Sequence, residues 1–408
     1  MKDCDVQRLR RLAAQYKEIA ILDAQRENLK LWYNLNNKTP IRPTLIFGDI
    51  PWHEMNVDDE LTLECEGAIA RGIETFLRQK IYLWKHMPGD MIVRDYIDLH
   101  VPVVGCDYGI DQKFEYKQTD EKNVIVGKTY IDQLQSEEDL QKIRASEIRV
   151  DQAAYDQLAE EFEQVFSGIL DVRHVGVYFN FNAWDLLESW HGVENCLFDM
   201  IDRPEFLHMA MRRITDVSHH IIDSLEKINM LARHQDDIMF APADCDWGEQ
   251  GTDSGCSAKN AWVFGTAQIF SSVSLEMHEE FELPYAQEIF ARFGKGYYGC
   301  CEPLHDRISM VDKIPNVQKV SISPFADSVK AAENIGKKYI MSNKPNPAFV
   351  ATASMDWGIV ERDIRKTLRA CRESGTPVEF ILKDISTVAY HPERLWKWSE
   401  VVKNIVCE

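Results

Sequence analysis

Between Lys295 and Lys383 the chain carries four short apolar runs: KGYYGCC (295–301), VQKVSIS (317–323), KYIMS (338–342) and VEFILK (378–383). Each is bounded by polar or turn residues and is short enough for a buried strand. Amphipathic segments separate them. Arg362–Arg372 is followed by Ser374-Gly375 and then by the last run, and just upstream Leu275–Phe293 reads as a helix closed by Gly294. Strand and helix in alternation predict a parallel sheet carrying helices.

Four more candidates extend the pattern toward the amino terminus: Asp237–Pro242 (DIMFAP), His174–Phe181 (HVGVYFNF), a weak run at Met91–Tyr96, and Thr44–Gly48 (TLIFG). Eight strand-like segments point to a (β/α)8 TIM barrel. An open doubly wound sheet is the alternative, but no G-x-G-x-x-G follows any strand, so a dinucleotide site has no signal. Pro204–His219 reads as a helix with Asp202 as its N-cap. Residues 1–40 read as a helical extension with Leu9, Leu12, Tyr16, Ile19 and Leu22 on one face, and residues 41–408 as the barrel. Tyr108–Asp151 departs from the alternation. Lys113–Lys117 and Asn123–Lys128 look like a hairpin, and the charged segment Ser136–Ala145 like a helix. This insertion reads as an excursion over one end of the barrel, either a lid or plain surface decoration.

The chain has 408 residues and 66 acidic against 46 basic side chains, a net charge of −20. Such a surface disfavours nucleic acid and anionic membranes, both of which call for basic contacts. The start has no signal core, and no stretch approaches the ~20 apolar residues of a membrane span. The expectation is a cytoplasmic enzyme. Ten cysteines are too few for a disulfide scaffold and predict reduced thiols.

In such barrels, chemistry gathers where strands end at their carboxyl side. Asp49 follows the first run, Asn180 and Asn182 the third, and Asp244, Asp246, Trp247 and Glu249 the fourth. Cys300, Cys301, Glu302 and His305 follow the fifth, Asn343 and Lys344 the seventh, and Asp384 the last. Three carboxylates within six residues repel one another unless protonated, paired or bound to a cation, which suits acid/base work; a solvated acidic loop is the plain alternative. Cys300, Cys301, Glu302 and His305 are all of zinc-binding type. Neighbouring residues of a regular strand point to opposite sides, so one of the two cysteines is expected to belong to the core. His191 alone reads as structural, and the tryptophans near the strand ends as buried.

Taken together, these pieces resemble the uroporphyrinogen decarboxylase-like superfamily from about Pro40 onward. Asp246-Trp247-Gly248-Glu249-Gln250-Gly251 is similar to its Asp-x-Gly-x-Gln-type loop. Phe270 to Pro284-Tyr285 is similar to the helix that follows, and Tyr298-Gly299-Cys300-Cys301 to its His-x-Cys-Gly strand end. His191-Gly192-Val193-Glu194 with Asp202-Arg203-Pro204-Glu205, and Asn343-Lys344-Pro345-Asn346-Pro347, match two further segments. The resemblance implies one of two activities: decarboxylation of a tetrapyrrole, or methyl transfer involving a corrinoid protein in anaerobic one-carbon metabolism. The decarboxylases grip substrate acids with an early arginine-rich segment. Here that place reads Leu45 to Trp52, with Asp49 and no arginine. The thiol-methylating branch binds zinc through His-x-Cys and a distal Cys. Tyr298 replaces that histidine, and the last strand ends Lys383-Asp384-Ile385-Ser386, leaving Cys300.

The resulting expectation is a methyltransferase moving a methyl group from a small O- or N-methylated donor to a corrinoid protein. Asp246, Glu249, Glu302 and His305 are its catalytic candidates. Asp49, Asn180, Trp247, Asn343 and Lys344 are expected to bind substrate, and Cys300, Cys301 and Asp384 to ligate zinc. The amino-terminal helices are expected either to cap the base of the barrel or to make a homodimer contact. The alternatives are a decarboxylase or related lyase, drawing on Lys344, Lys383 and Arg94, and a non-catalytic barrel that binds without turnover.

Overall fold

The computed structural model describes residues 1–117, 127–233 and 255–408. Two helices open the chain, α1 (Asp3–Ala20) and α2 (Asp23–Asn36), where one continuous helical stretch was expected. Leu22, expected on the buried face, is exposed because it caps α2 instead. There follow β1 (Thr44–Phe47), α3 (Ala68–His86), β2 (Tyr96–His100) and the short β3 (Val103–Val104). The insertion holds the expected antiparallel hairpin, β4 (Phe114–Lys117) with β5 (Gly127–Tyr130). Its charged segment is a six-residue 3-10 helix, Glu137–Lys142, started by a Ser136/Asp139 capping box. Next come β6 (Arg149–Val150), α4 (Gln152–Phe166), β7 (Asp171–Val175), β8 (Asn180–Phe181), α5 (Ala183–His191), α6 (Val193–Asp202) and α7 (Pro204–Lys227). The N-cap of α7 is Arg203, not Asp202, which still belongs to α6.

The remainder alternates: β9 (Trp262–Gly265), α8 (Leu275–Phe281), α9 (Leu283–Phe290), β10 (Lys295–Tyr298), α10 (Ile308–Val311), β11 (Val317–Ile322), α11 (Ser328–Ile335), β12 (Ile340–Asn343), α12 (Trp357–Ser374), β13 (Val378–Leu382) and α13 (Glu393–Cys407). The helix expected over 275–293 is broken at Glu282, ahead of Pro284, and its second half is capped by Ala291 rather than Gly294. Proline lacks an amide to continue the ladder and restricts the residue before it. The expected strand at 237–242 lies outside the described residues. β9 was not foreseen.

Seven strands form one sheet in the order β1-β13-β12-β11-β10-β9-β8, and all its pairings are parallel. β2 and β7 make a separate parallel pair. Among the described residues no ladder joins β1 to β2. The large sheet is buried on both faces, as parallel sheets are. One face carries the main core against the later helices, with Trp184, Phe270, Phe290, Tyr298 and Trp398 at its centre. The other face carries Trp262, Phe264 and Tyr297 toward one end and Ile340 under Trp32 of α2 toward the other. On that face Lys319 of β11 donates to Glu379 of β13 at 2.7 Å, and both side chains are fully buried. A smaller core joins α1, α3 and α4 to β2. Among the described residues no helix is long and apolar enough to cross a membrane.

Candidate functional site

The carboxyl ends of β1 and β13 lie side by side, since Phe47 pairs with Leu382. Two residues past each strand stands an aspartate with left-handed backbone, Asp49 at φ 46° and Asp384 at φ 56°. Non-glycine residues rarely adopt that region, and strain of this kind gathers at functional sites. Lys383 stands between them, its Nζ 3.4 Å from Asp49 Oδ2 and 3.4 Å from Asp384 Oδ2. Burial pulls its ammonium down, but Cys300, Asp384 and Asp49 outweigh that and raise it. Asp384 is raised in turn, first by burial and then by Asp49. The loop after β13 is pinned by Glu54, which accepts from Thr387 Oγ1 (2.7 Å), Val388 N (2.7 Å) and Tyr390 N (3.2 Å). A cavity of about 230 Å³ opens beneath Asp49, bounded by Ile50, Trp52, Phe76 and Lys80.

Three strands along the sheet from β13, Gly299 follows β10 at φ 97°, where a Cβ would strike Leu304. The chain leaves the strand there, and the expectation of opposed cysteines fails: Cys300 and Cys301 place their Sγ atoms 3.7 Å apart. Their mutual hydrogen bond, and then partial burial, pushes the Cys300 thiol up, while the same hydrogen bond pulls Cys301 down. Between these groups, Lys344 follows β12 and is buried. Its Nζ donates to Tyr297 Oη and to Ser342 O (3.2 Å) and Oγ (3.1 Å). Burial, with Lys383 and Lys319 nearby, lowers it to about 7.

Glu302 turns back beneath the thiols. It accepts from Cys300 N at 2.8 Å, from Ala267 N at 3.2 Å and from Thr266 Oγ1 at 3.3 Å. Three more carboxyl groups surround it: Asp185 and Glu188 of α5, and Glu282 at the α8–α9 break. Asp185 Oδ2 accepts from Gln268 at 3.2 Å, while Asp185 Oδ1, Glu188 Oε1 and both Glu282 oxygens are buried without a hydrogen-bond partner. A buried ionised carboxylate in that position is costly, so the acid form is favoured. Burial, then repulsion from Glu302, raises Asp185 to about 6; burial, then Asp185 and Glu302, raises Glu188 to about 8. Glu282 is pushed well above the ordinary range by burial and the same neighbours. Beside them His278 Nε2 meets Tyr298 Oη at 3.0 Å and its Nδ1 accepts from Arg307 at 2.9 Å. Burial and then Arg307 lower this imidazole to about 3, so it stays neutral.

No family model matches the chain, and no curated protein does. Among solved structures, a methyltransferase from Methanosarcina mazei is similar in fold. The TM-score is 0.52 at 11% identity, over 92% of this chain and 98% of that one. At that identity the likeness concerns the fold.

The structure brings together Asp49, Asp384, Cys300, Cys301, Lys344 and Glu302 around the ends of β1, β10, β12 and β13. Asn343 is the buried last residue of β12. Asn180 lies apart and lines a different cavity of about 390 Å³ with Asn182, Tyr178 and Asp107. His305 sits in the short turn Leu304–Asp306, its Nε2 3.2 Å from Asp306. Asp246, Trp247 and Glu249 lie outside the described residues. Asp185, Glu188 and Glu282 were not foreseen.

Zinc, implied by the resemblance, needs three or four ligands. The two thiols have a suitable separation, but among the described residues no third His, Cys, Asp or Glu completes a metal-holding group. Glu302 is occupied by amides, and the Lys383 ammonium faces Asp384. The described residues do not by themselves complete a zinc site. What they offer is carboxyl groups of raised proton affinity beside thiols and two buried amines.

Proposed function

We propose that this chain is a (β/α)8-barrel methyltransferase that takes the methyl group of a small O- or N-methylated donor and passes it to the corrinoid of a partner protein. The observation that carries this reading is the cluster of carboxyl groups around Glu302, where the buried, unpartnered oxygens of Glu188 and Glu282 favour the acid form. An ether or amine is a poor methyl donor because its leaving group departs as an alkoxide or amide anion. As the carbon–heteroatom bond breaks, its electron pair stays on the heteroatom, and a proton from Asp185 or Glu188 makes that atom a neutral alcohol or amine. Glu302, held by two backbone amides, lies beside them and raises their proton affinity. Lys383, Asp49 and Lys344 orient the donor. The similarity in fold to a methyltransferase supports the same reading. The two buried lysines favour a second one, a lyase acting on a carboxylated ligand.

The test supplies free reduced cobalamin as acceptor with methanol, methylamines and methoxybenzoates as donors, following methylcobalamin by absorbance. Methyl transfer from one donor class is expected, with Glu188→Gln and Asp185→Asn each lowering kcat by about 10²-fold, the scale of general acid catalysis. Release of carbon dioxide from a carboxylated compound, with no methylation from any donor, would establish the lyase instead.

A further inference from the structure

Cys300 and Cys301 are neighbours in sequence, and in an extended strand their side chains would point to opposite faces. Here their Sγ atoms lie 3.7 Å apart. Gly299 turns the chain just before them, at φ 97°. Just after them, the Glu302 carboxylate accepts from the Cys300 amide at 2.8 Å. The turn is fixed from both sides, and it holds the two thiols together.

The surroundings suit exchange with a reagent from solution. Among the described cysteines, Cys65, Cys196, Cys256 and Cys371 are buried, whereas Cys300 and Cys301 are partly exposed. The Lys383 ammonium favours the thiolate of both, and the thiolate is the attacking form. A disulfide bond is about 2.05 Å long, so the sulfurs need to approach by only about 1.7 Å to bond. Neighbouring Cα atoms stand about 3.8 Å apart, below the roughly 4.4–6.8 Å that ordinary disulfides span. The closed ring is therefore strained and easily reduced. Such a bond is poorly suited to bracing a fold and well suited to opening and closing.

We propose that Cys300 and Cys301 are a reversible oxidation site, closed to a disulfide by small organic disulfides. The Cys301 thiolate attacks one sulfur of the reagent, whose S–S bond breaks, and a small thiolate leaves and takes a proton from water. Cys300 then attacks the Cys301 sulfur of the mixed disulfide, and the second small thiolate leaves with the Cys300 proton. Two electrons pass from the cysteine pair to the reagent, which ends as two thiols. The site stands whether or not the chain transfers methyl groups.

The probe is bis(2-hydroxyethyl) disulfide, added to the reduced full chain near neutral pH. The reaction is stopped with acid, the chain is unfolded, and free thiols are blocked with N-ethylmaleimide before digestion with trypsin. Cleavage after Lys295 and Arg307 releases Gly296–Arg307, whose only cysteines are Cys300 and Cys301. This peptide is expected unblocked and lighter by two hydrogens, at a rate at least about tenfold above any oxidation at buried Cys371. Reduced glutathione added before the acid should restore both thiols. Cys300→Ser should stop at the first step, with mercaptoethanol on Cys301; the parent chain alone decides the question if that variant folds poorly. A Gly296–Arg307 peptide blocked at both cysteines, or carrying mercaptoethanol on each, overturns the proposal. A disulfide that glutathione fails to reopen overturns its reversibility.

Discussion

The Cys300 backbone amide donates to the Glu302 carboxylate at 2.8 Å, so the turn that presents both thiols is held by the side chain of its own third residue. Glutamine at 302 keeps the shape but turns an amide NH2 toward one of the three donors. We expect Glu302→Gln to lose roughly 1–3 kcal/mol, the usual cost of a buried donor left unmatched. Urea unfolding measures the loss, and a midpoint equal to the parent's would remove Glu302 from its place as the anchor of the turn.

The carboxyl groups on α5 make stability depend on pH in a stated direction. Glu188, raised to about 8, and Asp185, raised to about 6, bind protons more tightly folded than unfolded. Their contribution is complete below the unfolded carboxyl range and is lost as pH rises through the folded values. Unfolding free energy should therefore decline from about pH 5 to pH 8.5, and decline less in Glu188→Gln, which cannot ionise. Parallel curves for the two proteins would show that Glu188 does not titrate in this range.

Lys383 places positive charge beside the thiols and lowers both. Lys383→Met should slow alkylation of Cys301 by iodoacetamide at pH 7.5 about tenfold, the effect of one pKa unit on the thiolate fraction. Peptide mapping of the modified cysteine reads the rate. An unchanged rate would place the Lys383 charge out of reach of the pair.

Glu54 holds the loop in which Ala389 and Tyr390 both have positive φ. Glu54→Ala removes the acceptor for two amides and a hydroxyl, and should cost about 2–3 kcal/mol while raising amide exchange over residues 387–390. Exchange as slow as in the parent would mean that the loop keeps its shape without Glu54.

The strands from β10 to β13 are legible because each is a compact apolar run between polar residues, and the hairpin because its polar strands interrupt the alternation. β9 was missed although Trp262-Val263-Phe264-Gly265 is, like β12, a four-residue run buried throughout; such a run shows no alternation to separate strand from helix. Asp49, Cys300, Lys344 and Asp384 were found by looking where strands end. Asp185 and Glu188 escaped because they lie on a helix. Their signal was present: two carboxylates three residues apart, interleaved with Trp184, Leu187 and Trp190 where an apolar stripe should run unbroken. For Glu282 the signal was Pro284, which breaks the helix and delivers that carboxyl group to the same place.

The Lys319–Glu379 pair also constrains how this protein can change over generations. Either partner altered alone strands a full charge between buried strands, a loss of roughly 3–5 kcal/mol, whereas two apolar residues of matching volume are tolerated together. The path from the charged pair to an apolar pair thus crosses a valley that single substitutions do not pass. The two positions, 60 residues apart in the chain, are inherited as one character, and descendants should carry both charges or neither.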